Sequence, residues 1–103
     1  MTNEEFAIEI ENSISRSKKV LIEKGKEYSG EIDRLENFKR AGAAQSILPT
    51  EALYAMAMKH IVSIADMVKH PEKFTMKQWY AKTGDLRNYT ILLEALLIDG
   101  IEK

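Results

Sequence analysis

The chain has 103 residues, 45% hydrophobic and 30% charged, with 15 basic and 16 acidic residues and a formal net charge of -1. That balance suits one folded domain with a modest core, and it excludes an overall basic excess directed at nucleic-acid backbone or anionic membrane. Cysteine is absent, which excludes disulfides, thiolate zinc sites and cysteine nucleophiles.

The N-terminal Met1-Thr2-Asn3-Glu4-Glu5 is acidic and begins no apolar stretch of signal-peptide length. No apolar run approaches the roughly 18 residues of a bilayer span. A cytoplasmic location is therefore expected.

The first predicted element is a helix from about Asn3 to Lys24. Phe6, Ile10, Ile14, Ser17 and Leu21 recur at helical spacing, Thr2 or Asn3 is available as N-cap, and Gly25 is the expected stop. Ile8 and Ile22 lie off that stripe. The polar stretch Lys26–Asp33, with Gly30, reads as a loop. Asp33 is expected to cap a short helix that carries Leu35 and Phe38 and ends near Gly42.

Leu48-Pro49-Thr50-Glu51 reads as a helix start, with Thr50 as cap and Glu51 favourable in the first turn. Leu53, Met56, Ala57, His60, Ile64 and Met67 form its apolar face, and Pro71 ends it at or before His70. Thr75 is expected to cap a last helix running through Trp79 to about Ile98, with Gly100 as its stop. Gly84 within it costs about 1 kcal/mol relative to Ala, and so suggests a neighbouring helix, a ligand or a kink. No segment alternates with period two. The expectation is an all-α domain spanning residues 1–103, a small bundle of three long helices and one short one, thin enough to gain from forming a homodimer.

The last helix carries the most chemistry. At about 100° per residue, Asp85, Asn88, Leu92 and Leu96 share one face. The leucines mark it as buried, and a carboxylate and an amide on such a face need partners. His60, in the middle of the preceding apolar stripe, is a candidate partner whose charge a nearby carboxylate would set. Lys59 and Lys82 are candidate phosphate contacts. Glu36 and Asn37 beside Phe38, and Tyr28 near the loop, are candidate cleft residues, with Tyr28 able to stack on a base or cover the core. Trp79, the only tryptophan, is expected to anchor a core or an interface, and Arg87 reads as a surface charge. Asp85 and Glu36 are the metal-ligand candidates. Mg²⁺ fits such oxygen donors when substrate phosphates complete its shell. No glycine-rich phosphate loop, Ser-His-Asp arrangement or paired-histidine motif is present.

The strings Glu23–Ser29, Asp33–Lys39, Lys59–Ile64, then Trp79 with Lys82-Thr83-Gly84-Asp85 and Asn88-Tyr89, resemble the phage and prophage nucleotide modification associated domain family, whose function is otherwise unknown. The resemblance spans roughly residues 20–97. More distantly, the helix count and acidic-face placement are similar to MazG-like all-α nucleotide pyrophosphatases, which hold Mg²⁺ on nucleotide phosphates with helix-borne Glu and Asp. The resemblance implies a nucleotide or other phosphate-bearing ligand for Tyr28, Glu36, Asn37, Lys59, His60, Asp85, Asn88 and Tyr89. It also implies at most a metal-dependent phosphohydrolase, in host cytoplasm if phage-encoded. One position departs: the family pattern has an acidic residue two places after the tryptophan, and here that place is Ala81, which argues for binding without turnover. Two other readings remain open at this level. The chain is an accessory protein that docks on a host or phage protein, or His60, Asp85 and Asn88 satisfy one another as a structural cluster.

Overall fold

The computed structural model describes residues 1–28 and 33–102. Among them the regular structure is helical throughout: α1 (Asn3–Tyr28), α2 (Glu36–Gln45), α3 (Pro49–Met67) and α4 (Met76–Glu102), with a 3-10 turn at Pro71–Lys73. The expected all-α bundle of three long helices and one short helix is what forms. No helix among the described residues is long and apolar enough to cross a membrane.

The helix starts follow from local hydrogen bonding. Thr2 Oγ1 accepts the Glu5 N–H at 3.1 Å, and Glu5 Oε1 accepts the Thr2 N–H at 3.3 Å, a reciprocal cap. Thr75 and Gln78 repeat the arrangement at α4, at 2.8 and 3.2 Å. Before α2, Asp33 Oδ1 accepts the Leu35 N–H at 2.9 Å. At α3 the expected cap moves from Thr50 to Leu48. Pro49 takes the first helical position, where its missing N–H costs nothing, and Glu51 Oε1 accepts the Leu48 N–H at 3.0 Å.

Three glycines expected to stop helices do not. α1 runs through Gly25 to Tyr28, so Lys26, Glu27 and Tyr28 are helical rather than loop; residues 29–32 of the expected loop lie outside the described residues. Gly25 makes room for Arg34: a Cβ there would sit 2.7 Å from Arg34 Nε. α2 likewise passes Gly42 and ends at Ser46, in the left-handed region at φ 57. A Cβ on Gly42 would lie 2.8 Å from Ile47 O, because the chain leading into α3 folds directly over it. At Gly84 the expected crowding is absent, since the nearest atom to an added Cβ is Arg87 Nη2 at 3.7 Å. α4 also continues past Gly100.

The core is built by α2, α3 and α4. Leu35, Phe38, Leu53 and Leu96 are buried together, with Met56, Tyr89, Leu92 and Leu93 packed against them. Lys39 ties the start of α2 to the end of α4, bonding Asp33 at 2.6 Å and Asp99 at 2.8 Å. Trp79 is not a core anchor. Its indole N–H donates to Pro71 O at 3.2 Å and its ring meets Phe74 edge-on at 6.0 Å, so it clasps the turn between α3 and α4.

α1 joins this core along α4, and polar contacts hold the junction. Arg87 Nε donates to the buried Ser17 Oγ at 2.6 Å, so Arg87 is more than a surface charge. Arg16 sits 4.0 Å above the Tyr80 ring and pairs with Glu9 at 2.8 Å. The N-terminal part of the α1 stripe finds no such neighbour: Phe6, Ile10 and Ile14 stay 45–59% exposed.

Candidate functional site

All four helices contribute to one cleft of about 370 Å³, within the size range of small-molecule sites. Its apolar floor comes from Phe38, Met56 and Leu92. α1 brings Val20, Leu21 and Lys24 to one side, and Arg34 enters from the segment before α2. Asn37 lies on α2, Lys59 and His60 on α3, and Asp85, Asn88 and Tyr89 on α4. Residues far apart in sequence therefore converge because three apolar stripes pack with their polar members at one end of the same seam.

The sequence-derived candidates Asn37, Lys59, His60, Asp85, Asn88 and Tyr89 all line this cleft. Glu36 does not; it is half-buried in the first turn of α2 and absent from the lining. Tyr28 ends α1 in the backbone, and its side chain lies outside the described residues. Ala81 is exposed on α4 and does not line the cleft. Sequence reasoning missed Lys24 and Arg34 as lining residues. Gly25 carried the available signal, since a glycine inside a helix can mark a seat for an incoming side chain as well as a stop.

His60 keeps only 13% of its side-chain exposure, and its ring lies 5.3 Å from that of Tyr89 at a 35° tilt. Burial pushes its pKa below the ordinary imidazole value. Asp85 pulls the other way, and Lys82, Lys59 and Lys24 add to the lowering. The environment therefore disfavours the charged form of His60. Its Nδ1 is 3.5 Å from Asp85 Oδ2, and that contact does not satisfy it: Nδ1 is buried with no hydrogen-bond partner. Asn88 is 7% exposed, and its Oδ1 is likewise buried and unpartnered, as is Asn37 Oδ1. Three unpaired polar atoms thus border one cleft. Groups of this kind are normally bonded to protein, water or ligand.

Charge on the lining is unequal. Among the described residues that line the cleft are Lys24, Arg34 and Lys59 and one carboxylate, Asp85, which is 40% exposed. No group of three His, Asp or Glu side chains that could hold a metal forms among the described residues. Asp85 and Glu36 do not share the cleft, so this donor set does not fit a protein-built metal cage. It fits an anion. Comparisons with family models, curated proteins and solved structures return no match to this chain.

Proposed function

We propose that the cleft binds a nucleotide or a related phosphate-bearing small molecule. The observation that carries this reading is the joint presence of a cationic lining and three unpaired, buried polar atoms, Asn37 Oδ1, His60 Nδ1 and Asn88 Oδ1. Lys24, Arg34 and Lys59 attract the phosphates. The two amide oxygens accept hydrogen bonds from the sugar hydroxyls or base amino groups of a nucleoside. The Tyr89–His60 ring pair offers an aromatic surface for a base.

The proposal agrees with what the resemblance to the nucleotide modification associated family implies. It is a binding function. Among the described lining residues Asp85 is the one carboxylate, so in this reading Mg²⁺ enters as an ion carried by the nucleotide's phosphates, and no hydrolytic step is assigned. A purely structural cluster is less well supported, because His60 and Asp85 meet at 3.5 Å without a hydrogen bond at Nδ1, and Asn88 Oδ1 accepts a bond from neither.

The test is a thermal-shift screen with purine and pyrimidine nucleoside mono- and triphosphates and with inorganic phosphate, each with and without Mg²⁺. A nucleotide at a hundredfold excess over its Kd adds about 2.7 kcal/mol, which raises Tm by about 10 °C in a domain of this size. A folded sample that no nucleotide shifts overturns the proposal.

A further inference from the structure

Every residue of α1 ahead of Arg16 is exposed except the half-buried Glu9 and Ser13. Ile10 and Ile14 nevertheless continue the stripe that Ser17 and Leu21 bury further along. An isolated helical stretch of this length is marginal in water without tertiary packing. The whole chain shows the same deficit. Its accessible surface is 7753 Å², against roughly 5,900 Å² for a compact chain of its mass. Its radius of gyration is 15.6 Å, against about 13 Å for a compact domain of this length. The excess, roughly 1,800 Å², is of the size a protomer buries in a permanent dimer.

Charge along α1 indicates what covers the stripe. Residues 1–15 carry Glu4, Glu5, Glu9 and Glu11 and no lysine or arginine. From Arg16 to Lys26 the sign reverses, with Arg16, Lys18, Lys19, Lys24 and Lys26 against Glu23 alone. A parallel pair of such helices sets glutamates on glutamates, whereas an antiparallel pair sets acidic half on basic half. Beside the basic half, between α1 and α4, runs an apolar groove of about 380 Å³ lined chiefly by Ile14, Leu21, Ile22 and Ile91.

We propose that the chain self-associates through α1, two copies packing antiparallel about a two-fold axis near Ile14. That register sets Phe6 of each copy opposite Ile22 of the other, in the groove against Ile91. The contact is isologous and closes as a dimer.

The intact chain is tested by light scattering across a range of concentrations. The proposal expects twice the 11.8 kDa chain mass. The double variant Ile10→Glu/Ile14→Glu is expected to run at the single-chain mass with the α2–α4 core still folded, since neither residue belongs to its buried cluster. Because the chain has no cysteine, Ile14→Cys is expected to give a disulfide-linked pair on mild oxidation, and Glu72→Cys, outside α1, is not. A wild-type chain that stays at single-chain mass at every concentration overturns the proposal and assigns the stripe to a different protein. A dimer unaffected by the double glutamate variant, or cross-linked at Glu72→Cys and not at Ile14→Cys, overturns it equally.

Discussion

Replacing Asn88 by leucine separates a binding residue from a structural one. Asn88 is 7% exposed, its Oδ1 has no partner, and Leu92 follows it on the same face of α4. A buried, unsatisfied acceptor costs about 1–3 kcal/mol of desolvation. Leucine has no such acceptor and continues the leucine stripe at nearly constant volume. Asn88→Leu is therefore expected to stabilise the ligand-free protein by about 1 kcal/mol or more. With about 4–8 °C per kcal/mol for a domain of this size, Tm rises by at least about 4 °C. The same change removes an acceptor from the cleft, so the thermal shift produced by a nucleotide shrinks or disappears. Thermal denaturation followed by far-ultraviolet circular dichroism, with and without nucleotide, reads both effects. An Asn88→Leu protein destabilised by 1 kcal/mol or more refutes the reasoning, because it shows that the amide is satisfied in the folded chain.

Three further predictions follow from the geometry. Asp85→Asn is expected to change stability by less than about 1 kcal/mol in urea denaturation, because the carboxylate is 40% exposed and makes no hydrogen bond to His60; a loss of about 3–5 kcal/mol would instead mark a buried, mutually satisfied pair. His60 has a folded-state pKa lowered from 6.5, so the unfolded chain binds the proton first. Its contribution is complete above the unfolded pKa and is lost as pH falls toward the lower folded value, so urea midpoints for the wild type are expected to drop between pH 7.5 and 5.5 more than those for His60→Gln. Gly42→Ala is expected to destabilise by about 1–3 kcal/mol through its contact with the Ile47 carbonyl, whereas Gly84→Ala, with its nearest atom at 3.7 Å, stabilises by about 1 kcal/mol.

What the sequence revealed and what it hid follow from how each feature is encoded. Helical period alone placed Leu53, Ala57, Met67 and Leu96 on buried faces, and they are buried. The same period set His60, Asp85 and Asn88 inward, because a polar residue on a leucine stripe has nowhere else to point. Helix ends were harder to read. Glycine marks a helix stop when it adopts a left-handed conformation and marks a close approach when it does not, and the sequence does not distinguish the two. Gly25 and Gly42 proved to be approaches, and Ser46 took the left-handed position. Pro49 displaced the α3 cap from Thr50 because a proline at the first turn fixes where the helix begins. The α1 stripe looked like a core face, yet its first half is exposed within one chain. Periodicity reports that a face is apolar, and it does not say which chain covers it. Lys24 and Arg34 were hidden for the opposite reason: lysine and arginine on a helix normally read as solvated, and only the fold turns them toward the cleft.

The most direct test of nucleotide binding in the cleft is a titration of the ¹⁵N-labelled protein with a nucleoside triphosphate and, separately, with inorganic phosphate, following the side-chain amides of Asn37 and Asn88 and the His60 imidazole by nuclear magnetic resonance. The account predicts saturable shifts at all three residues with the nucleotide, a rise in the His60 pKa as the anion enters, and weaker, incomplete shifts with phosphate alone. Unchanged resonances at all three residues at millimolar nucleotide, or shifts confined to the exposed face of α1, would contradict it.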